Sequence, residues 1–231
     1  MWKSTVGERP LHFRLAGINN QNFLMRDIET GTWWQQVSGK AVAGPLKGQA
    51  LELAPYDELS FALWKQESPA GLVLAPVKQD ASQYESNWEP ETQKLPTVID
   101  FPGSGLAGRD VVVGVEVNGV SRAYPFSALQ TQSPIQDLVG GVPILLAVGP
   151  DGESVRGFVR RIDGQEADFF RKTEGAPDWA LVDSRNATSW NFQGCPATDA
   201  QSAKCLERIA ALKDYWFDWK NYHPATSIYQ H

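Results

Sequence analysis

Short runs of apolar or alternating residues, broken every few positions by turn formers, dominate this chain. Val111 to Tyr124 alternates about Asn118-Gly119, a pair whose tolerance of positive φ makes it the strongest short hairpin signal. Val142 to Val148 and Val155 to Val159 flank Pro150-Asp151-Gly152, and Ile162 to Phe170 continues past Asp163-Gly164. These segments are expected to pair in sequence order as an antiparallel meander. Helical periodicity is confined to Asp57 to Glu67 and Asp214 to Tyr222, each aromatic on one face and each stopped by a nearby proline, Pro69 or Pro224. Leu206 to Leu212 and Ser127 to Gln130 predict a further helical turn or two. Gln79 to Pro96 is polar and without period, which marks a connector.

The pattern also repeats. Phe13, Asp27, Thr32 and Trp34 recur as Phe169, Asp183, Thr188 and Trp190, a spacing of 156 (190 minus 34). After one deletion the spacing is 155, and Gly39, Leu51, Glu52, Trp64, Lys65, Pro69 and Ala70 recur as Gly194, Leu206, Glu207, Trp219, Lys220, Pro224 and Ala225. Two tryptophans, a glycine and a helix-stopping proline keep their order in both copies. Each copy is expected to hold a strand pair turning at Glu29-Thr30-Gly31 or Arg185-Asn186-Ala187, an aromatic anchor, and a short helix that lays a second tryptophan on a sheet. Trp34, Trp64, Trp190 and Trp219 therefore read as core, since large aromatics dominate burial energetics. The expected fold is mainly β, of the α+β kind: antiparallel sheets from a degenerate internal repeat, each copy with a short aromatic helix.

Met1 aligns with Gly157, so Val111 to Arg156 has no counterpart in the first copy. The expected organisation is a first, incomplete unit over 1–78, a connector over 79–106 and a second, complete unit over 107–231, joined in one compact body. The missing strands are expected to be absent through shortening, or to come from a partner or an upstream segment that covers the N-terminal strand edge.

Composition narrows the function classes. Of 231 residues, 42% are hydrophobic and 21% charged, as in a globular domain rather than a disordered chain. A net charge of -6 with scattered Lys and Arg supplies no basic stripe, which argues against nucleic-acid binding. No apolar stretch is long enough for a transmembrane segment, and Met1-Trp2-Lys3-Ser4 does not open a signal peptide. Cys195 and Cys205, ten positions apart, either form a disulfide or are two free thiols. With no C-x-x-C and only His12, His223 and His231 as histidines, no metal site is expected, and no cofactor motif of the G-x-S-x-G, Walker or H-E-x-x-H kind occurs.

Four residues could still carry chemistry. His223, between an aromatic helix and Pro224, could ligate a metal or act as a general base, or it could cap the helix C-terminus, the favoured reading. Arg122, on a predicted strand, could clamp a carboxylate ligand or pair inside the fold with Asp27 or Asp183. Asp27 and Asp183, one per copy, could form an acid and base pair, although their place before hairpin turns favours turn-stabilising hydrogen bonds. Among the tryptophans outside the repeat, Trp2, Trp88 and Trp179 are the ones expected on an exposed partner or carbohydrate surface.

The run Val115-Glu116-Val117-Asn118-Gly119-Val120-Ser121-Arg122-Ala123-Tyr124-Pro125, then Gly140-Gly141-Val142-Pro143, then Trp216-Phe217-Asp218-Trp219 with His223-Pro224, resembles the bacterial family catalogued as domain of unknown function 3179. Asp27-Ile28-Glu29-Thr30-Gly31-Thr32-Trp33-Trp34, followed by Gly39 and Gly44-Pro45, does so too, and the resemblance covers nearly the whole chain. It implies a periplasmic or otherwise extracytoplasmic location. Many members carry Cys-Pro-x-Cys after the Gly-Gly-x-Pro strand. Here those positions read Gly149-Pro150-Asp151-Gly152, so a thiol or metal role does not carry over. The resulting expectation is a noncatalytic extracytoplasmic accessory or binding module with a protein partner, a subunit of a larger assembly. The alternative is an enzyme or metal-binding protein with its site between the two repeat units.

Overall fold

The protein is described by a computed structural model covering residues 1–54, 56–84, 86–172, 179–197 and 204–230. It is mainly β, with several antiparallel sheets and few short helices. A ribbon of β1 (Thr5–Val6) and β2 (Arg9–Pro10) leads into an antiparallel sheet of β3 (Phe13–Asn19), β4 (Asn22–Asp27), β5 (Trp33–Gln35) and β6 (Ala41–Ala43). Helix α1 (Phe61–Glu67) follows, capped by the Ser60 hydroxyl, which accepts from the Leu63 amide. The connector is less bare than its composition predicts. It holds a 3₁₀ segment (Lys78–Gln83) and α2 (Trp88–Lys94), which has three acidic or basic residues at dipole-favourable ends.

The second unit opens with the Asn118-Gly119 hairpin of β7 (Val111–Val117) and β8 (Val120–Pro125), followed by α3 (Phe126–Gln132). Strands β9 (Ile135–Val139), β10 (Val142–Val148) and β11 (Val155–Val159) then form a buried sheet. A ribbon of β12 (Arg161–Ile162) and β13 (Gln165–Glu166) precedes a three-stranded sheet of β14 (Phe169–Arg171), β15 (Leu181–Asp183) and β16 (Ser189–Trp190). The chain ends through β17 (Arg208–Ile209), β18 (Leu212–Tyr215), α4 (Trp216–Tyr222) and β19 (Ser227–Ile228).

Two expectations need correction. The single meander does not form: β9 takes the edge of β10, while β7 and β8 join a different sheet in the order β18-β7-β8-β19. Leu206 to Leu212 is not helical, because Arg208–Ile209 adds to the open edge of β11 and Leu212 begins the strand paired with β7. Sheet pairing here overrides a helical period of only two turns.

The hairpins of the two units share their bonding. Trp34 Nε1 donates to Asp27 Oδ2 at 2.8 Å, and Trp190 Nε1 donates to Asp183 Oδ2 at 2.9 Å. Phe13 meets Trp34 edge-on at 5.9 Å, and Phe169 meets Trp190 edge-on at the same distance. The Leu51 amide donates to the Gly39 carbonyl, and the Leu206 amide to that of Gly194. Lys3 N–H to Glu52 C=O is matched by Val159 N–H to Glu207 C=O. Both α1 and α4 end with the residue after the helix donating to a tryptophan carbonyl, Ser68 to Trp64 and His223 to Trp219.

The tryptophans divide three to one. Trp34, Trp190 and Trp219 are buried, and Trp219 lies so close over Gly114 that a Cβ there would sit 2.2 Å from its ring. Trp64 is only half-buried, contrary to its expected place in the core, and lies against Phe61 and Gly71. Cys195 and Cys205 are joined in a disulfide, which closes one of the two alternatives the sequence left open. Of the tryptophans expected at the surface, Trp88 is exposed, whereas Trp2 and Trp179 are half-buried with their indole N–H groups donating to the Gln36 and Val148 carbonyls.

Candidate functional site

Where α4 and β18 face the first unit's sheet, a cleft of about 460 Å³ opens between them. Its floor is built by β18, which brings Asp214 to the foot of the helix, and by α4, whose spacing puts Asp218 and Tyr222 on one face. Asn22 and Gln36 come from the opposite wall. Two bonds fasten the walls together: Asn22 Nδ2 donates to Asp218 Oδ2 at 3.0 Å, and the Tyr222 hydroxyl donates to the Asn19 carbonyl at 3.2 Å.

The electrostatics of this cleft are unusual. Burial, the neighbouring Asp218 and Glu58 push the Asp214 carboxyl up to about 8. Burial also raises Asp218, against the hydrogen bond from Asn22 and the charge of Arg109. Tyr56 is pushed up to about 12 by burial and by Glu58 and Asp214. At neutral pH the Asp214 carboxyl is therefore held largely protonated and can donate, beside Asp218. Four buried side-chain polar atoms have no hydrogen-bond partner among the described residues, and two of them, Asn22 Oδ1 and Asp218 Oδ1, belong to residues lining this cleft. Both are acceptors.

Lys40 also lines the cleft, and two other cations nearby are engaged elsewhere. Lys213 Nζ donates to the Glu153 carbonyl and sits over the Phe126 ring, and Arg109 reaches the Leu95 carbonyl while stacked on Tyr215 and Phe217.

Of the four residues singled out from sequence, only His223 lines the cleft. It caps α4, with Nδ1 at 3.0 Å from the Trp219 carbonyl and its ring stacked 3.6 Å from Trp219, and its Nε2 lies 3.1 Å from Glu116. Burial lowers its pKa, opposed by the Trp219 carbonyl and Glu116. Asp27 and Asp183 serve their own turns. Asp27 accepts from the Thr30 and Thr32 amides, and Asp183 from those of Arg185, Asn186 and Thr188. Arg122 pairs with neither of them but with Asp137 at 2.6 Å, which Tyr124 also bonds at 2.7 Å. The four do not converge. Among the described residues no group of three or more His, Cys, Asp or Glu is arranged to hold a metal.

Asp214 and Asp218 escaped the sequence reading, although the alignment carried a signal. At the 155 spacing they stand where the first unit has Leu59 and Leu63 (214 minus 155 and 218 minus 155). Leu63 is buried in an apolar cluster with Leu145, Phe158, Trp190 and Phe192, with Leu59 packed against it. The helix face that fills an apolar contact in one unit thus lines a polar, open cleft in the other.

The profile of a family described as a protein of unknown function, DUF3179, matches residues 1–226, which include both units and every cleft residue named above. The chain belongs to this family. The DUF3179 match spans the whole arrangement from Asn22 to His223, so the cleft lies within the family region rather than in an appended segment. No curated protein and no solved structure matches the chain. No helix among the described residues is long and apolar enough to cross a membrane.

Proposed function

We propose that this DUF3179 chain is a noncatalytic, extracytoplasmic binding module that serves as an accessory subunit of a larger assembly, and that it recognises a basic group of its partner in the α4 cleft. The observation that carries this reading is the pair of unpartnered buried acceptors, Asn22 Oδ1 and Asp218 Oδ1, beside a second buried carboxyl. Orphaned buried acceptors cost free energy that a donor recovers, and a cation additionally favours the ionised form of the buried carboxyls beside it. A lysine or arginine side chain supplies both. The extracytoplasmic location rests on the family resemblance and fits the disulfide.

The test is a thermal-shift titration with n-butylammonium, n-butanol and propionate as matched probes. A rise in Tm with the ammonium alone, lost in Asp218→Asn, supports the reading. Equal shifts from all three probes, or an ammonium shift that survives Asp218→Asn, overturn it.

A second reading, catalysis between the units, is favoured by the raised Asp214 beside Asp218, since carboxyls of divergent proton affinity can serve as acid and base. A bell-shaped pH–rate profile on any substrate, abolished by Asp214→Asn, would select it over the first.

A further inference from the structure

The two units line one cavity with matching strand edges, and that cavity runs into the α4 cleft. In the first unit, residues 52–54 pair with residues 1–3. The Lys3 amide donates to the Glu52 carbonyl at 2.9 Å, and the Ala54 amide to the Met1 carbonyl at 3.0 Å. Leu53 stands opposite Trp2 between these bonds, so its own amide and carbonyl point away from that strand. In the second unit, Glu207, Arg208 and Ile209 take the same places (52, 53 and 54, each plus 155). The Val159 amide donates to the Glu207 carbonyl at 2.8 Å, and Arg208 stands opposite Phe158. Bonded and unbonded pairs alternate along an antiparallel ladder, so the Arg208 amide and carbonyl likewise point away from β11. β17 is the edge strand of its sheet, and among the described residues no backbone hydrogen bond reaches the amide or carbonyl of Leu53 or Arg208.

These edges line a cavity of about 560 Å³, Leu53 and Ala54 from the first unit and Arg208, Ile209 and Ala210 from the second. Asp57, paired with Arg208, lines it too. Leu53, Tyr56 and Ala210 also line the α4 cleft, so the two spaces meet along these three residues. Beyond them sits Asp218, 9% exposed, whose Oδ1 has no partner among the described residues. One end of the joined groove therefore offers main-chain donors and acceptors, and the other a buried carboxyl that a cation satisfies.

We infer that this groove takes an extended polypeptide segment of the partner with a basic residue at its centre. The segment's main chain lies between the edges at Leu53 and Arg208, and its basic side chain passes Tyr56 into the α4 cleft, where Asn22 Oδ1 and Asp218 Oδ1 accept from it. The inference rests on the reading of the cleft as a cation site and adds what carries the cation. A simple amine fills the cleft alone, whereas a strand also brings donors and acceptors at the spacing of the two edges. The residues that flank the basic one are small or β-branched, to suit a cavity lined by Leu53, Ala54, Ile209 and Ala210.

The probe is the peptide fluorescein-Ala-Val-Lys-Val-Ala-amide, titrated with the full chain and followed by anisotropy, beside the thermal-shift titration with n-butylammonium. Saturable binding at least tenfold tighter than that of n-butylammonium is expected, with excess n-butylammonium competing. Norleucine in place of the lysine, and N-methylation of both valines, are each expected to weaken it about tenfold. Ala54→Trp fills the cavity at a residue that does not line the cleft, so peptide binding is lost while the n-butylammonium shift persists. Should that variant misfold, the N-methylated peptide decides on the unaltered chain. A peptide no tighter than n-butylammonium, or one that tolerates N-methylation, overturns this inference and leaves the cation reading standing. A norleucine peptide that binds as well as the lysine one overturns it too, and if n-butylammonium gives no shift the cation reading falls with it. Self-association of the full chain that the peptide competes away would put a second copy in the groove and overturn the assignment to a partner.

Discussion

The indole N–H of Trp34 donates to Asp27 Oδ2 inside the fold, and the carboxylate that receives it also accepts from the Thr30 amide and hydroxyl and the Thr32 amide. Asp183 does the same for Trp190 and three turn amides. A buried aspartate thus fastens an aromatic anchor to a tight turn in each unit.

Replacing Asp27 with Ala leaves the Trp34 indole and two turn amides without their acceptor. A loss of about 3 kcal/mol is expected, read from urea denaturation, with a comparable loss for Asp183→Ala. These hydrogen bonds hold both carboxyls below their ordinary value despite burial. With the folded pKa depressed, their contribution is present above the unfolded carboxyl pKa and lost as pH falls through the folded one. The wild-type chain is therefore expected to weaken on acidification below about pH 4, and the double Ala variant to show a flatter profile there.

Asp214 has the opposite sign. Its folded pKa, about 8, lies above the ordinary carboxyl value, so the folded state binds the extra proton between the two. Stability from this group is fully present at low pH and falls as pH rises toward 8. Asp214→Asn keeps an oxygen to accept from the Tyr215 amide and removes the titration. At pH 9 the variant is expected to melt several degrees above wild type, with the gap closing toward pH 4, measured by scanning calorimetry.

Arg156 is 3% exposed and fastens α1 to the buried sheet of the second unit. It bonds Asp57 at 2.8 Å and Glu67 through two contacts of 2.6 and 2.7 Å, and lies over the Phe192 ring. Arg156→Met leaves Glu67 without its cation and Asp57 with Arg208 alone. A cost of about 3 kcal/mol is expected, measured as a lower urea midpoint, and Arg156→Met with Glu67→Gln is expected to recover part of it because one uncompensated charge is gone.

Much of this architecture was legible in the chain. The Asn118-Gly119 hairpin, the alternation on either side of Pro150-Asp151-Gly152, the two aromatic helices and the turn aspartates follow from short-range rules that act within a few residues. His223 as a helix cap is of the same kind. The partners of long-range edges were not legible. β17 reads as part of a helical turn because nothing local reports the open edge of β11, and Arg122 finds Asp137 rather than Asp27 because the choice depends on how the β7–β8 hairpin stands against β9.

The cleft was the least legible feature. Asp214 and Asp218 sit in an aromatic run and look like the solvated acids of a helix start, yet they face the first unit's sheet. The sequence by itself determined the mainly β class, the Asn118-Gly119 hairpin and the two aromatic helices, because periodicity and turn chemistry are properties of the chain. Only the tertiary structure decided which helix face is packed and which is open, since that depends on what lies opposite: apolar Trp190 and Phe192 against Leu63, and polar Asn22 and Gln36 beside Asp218.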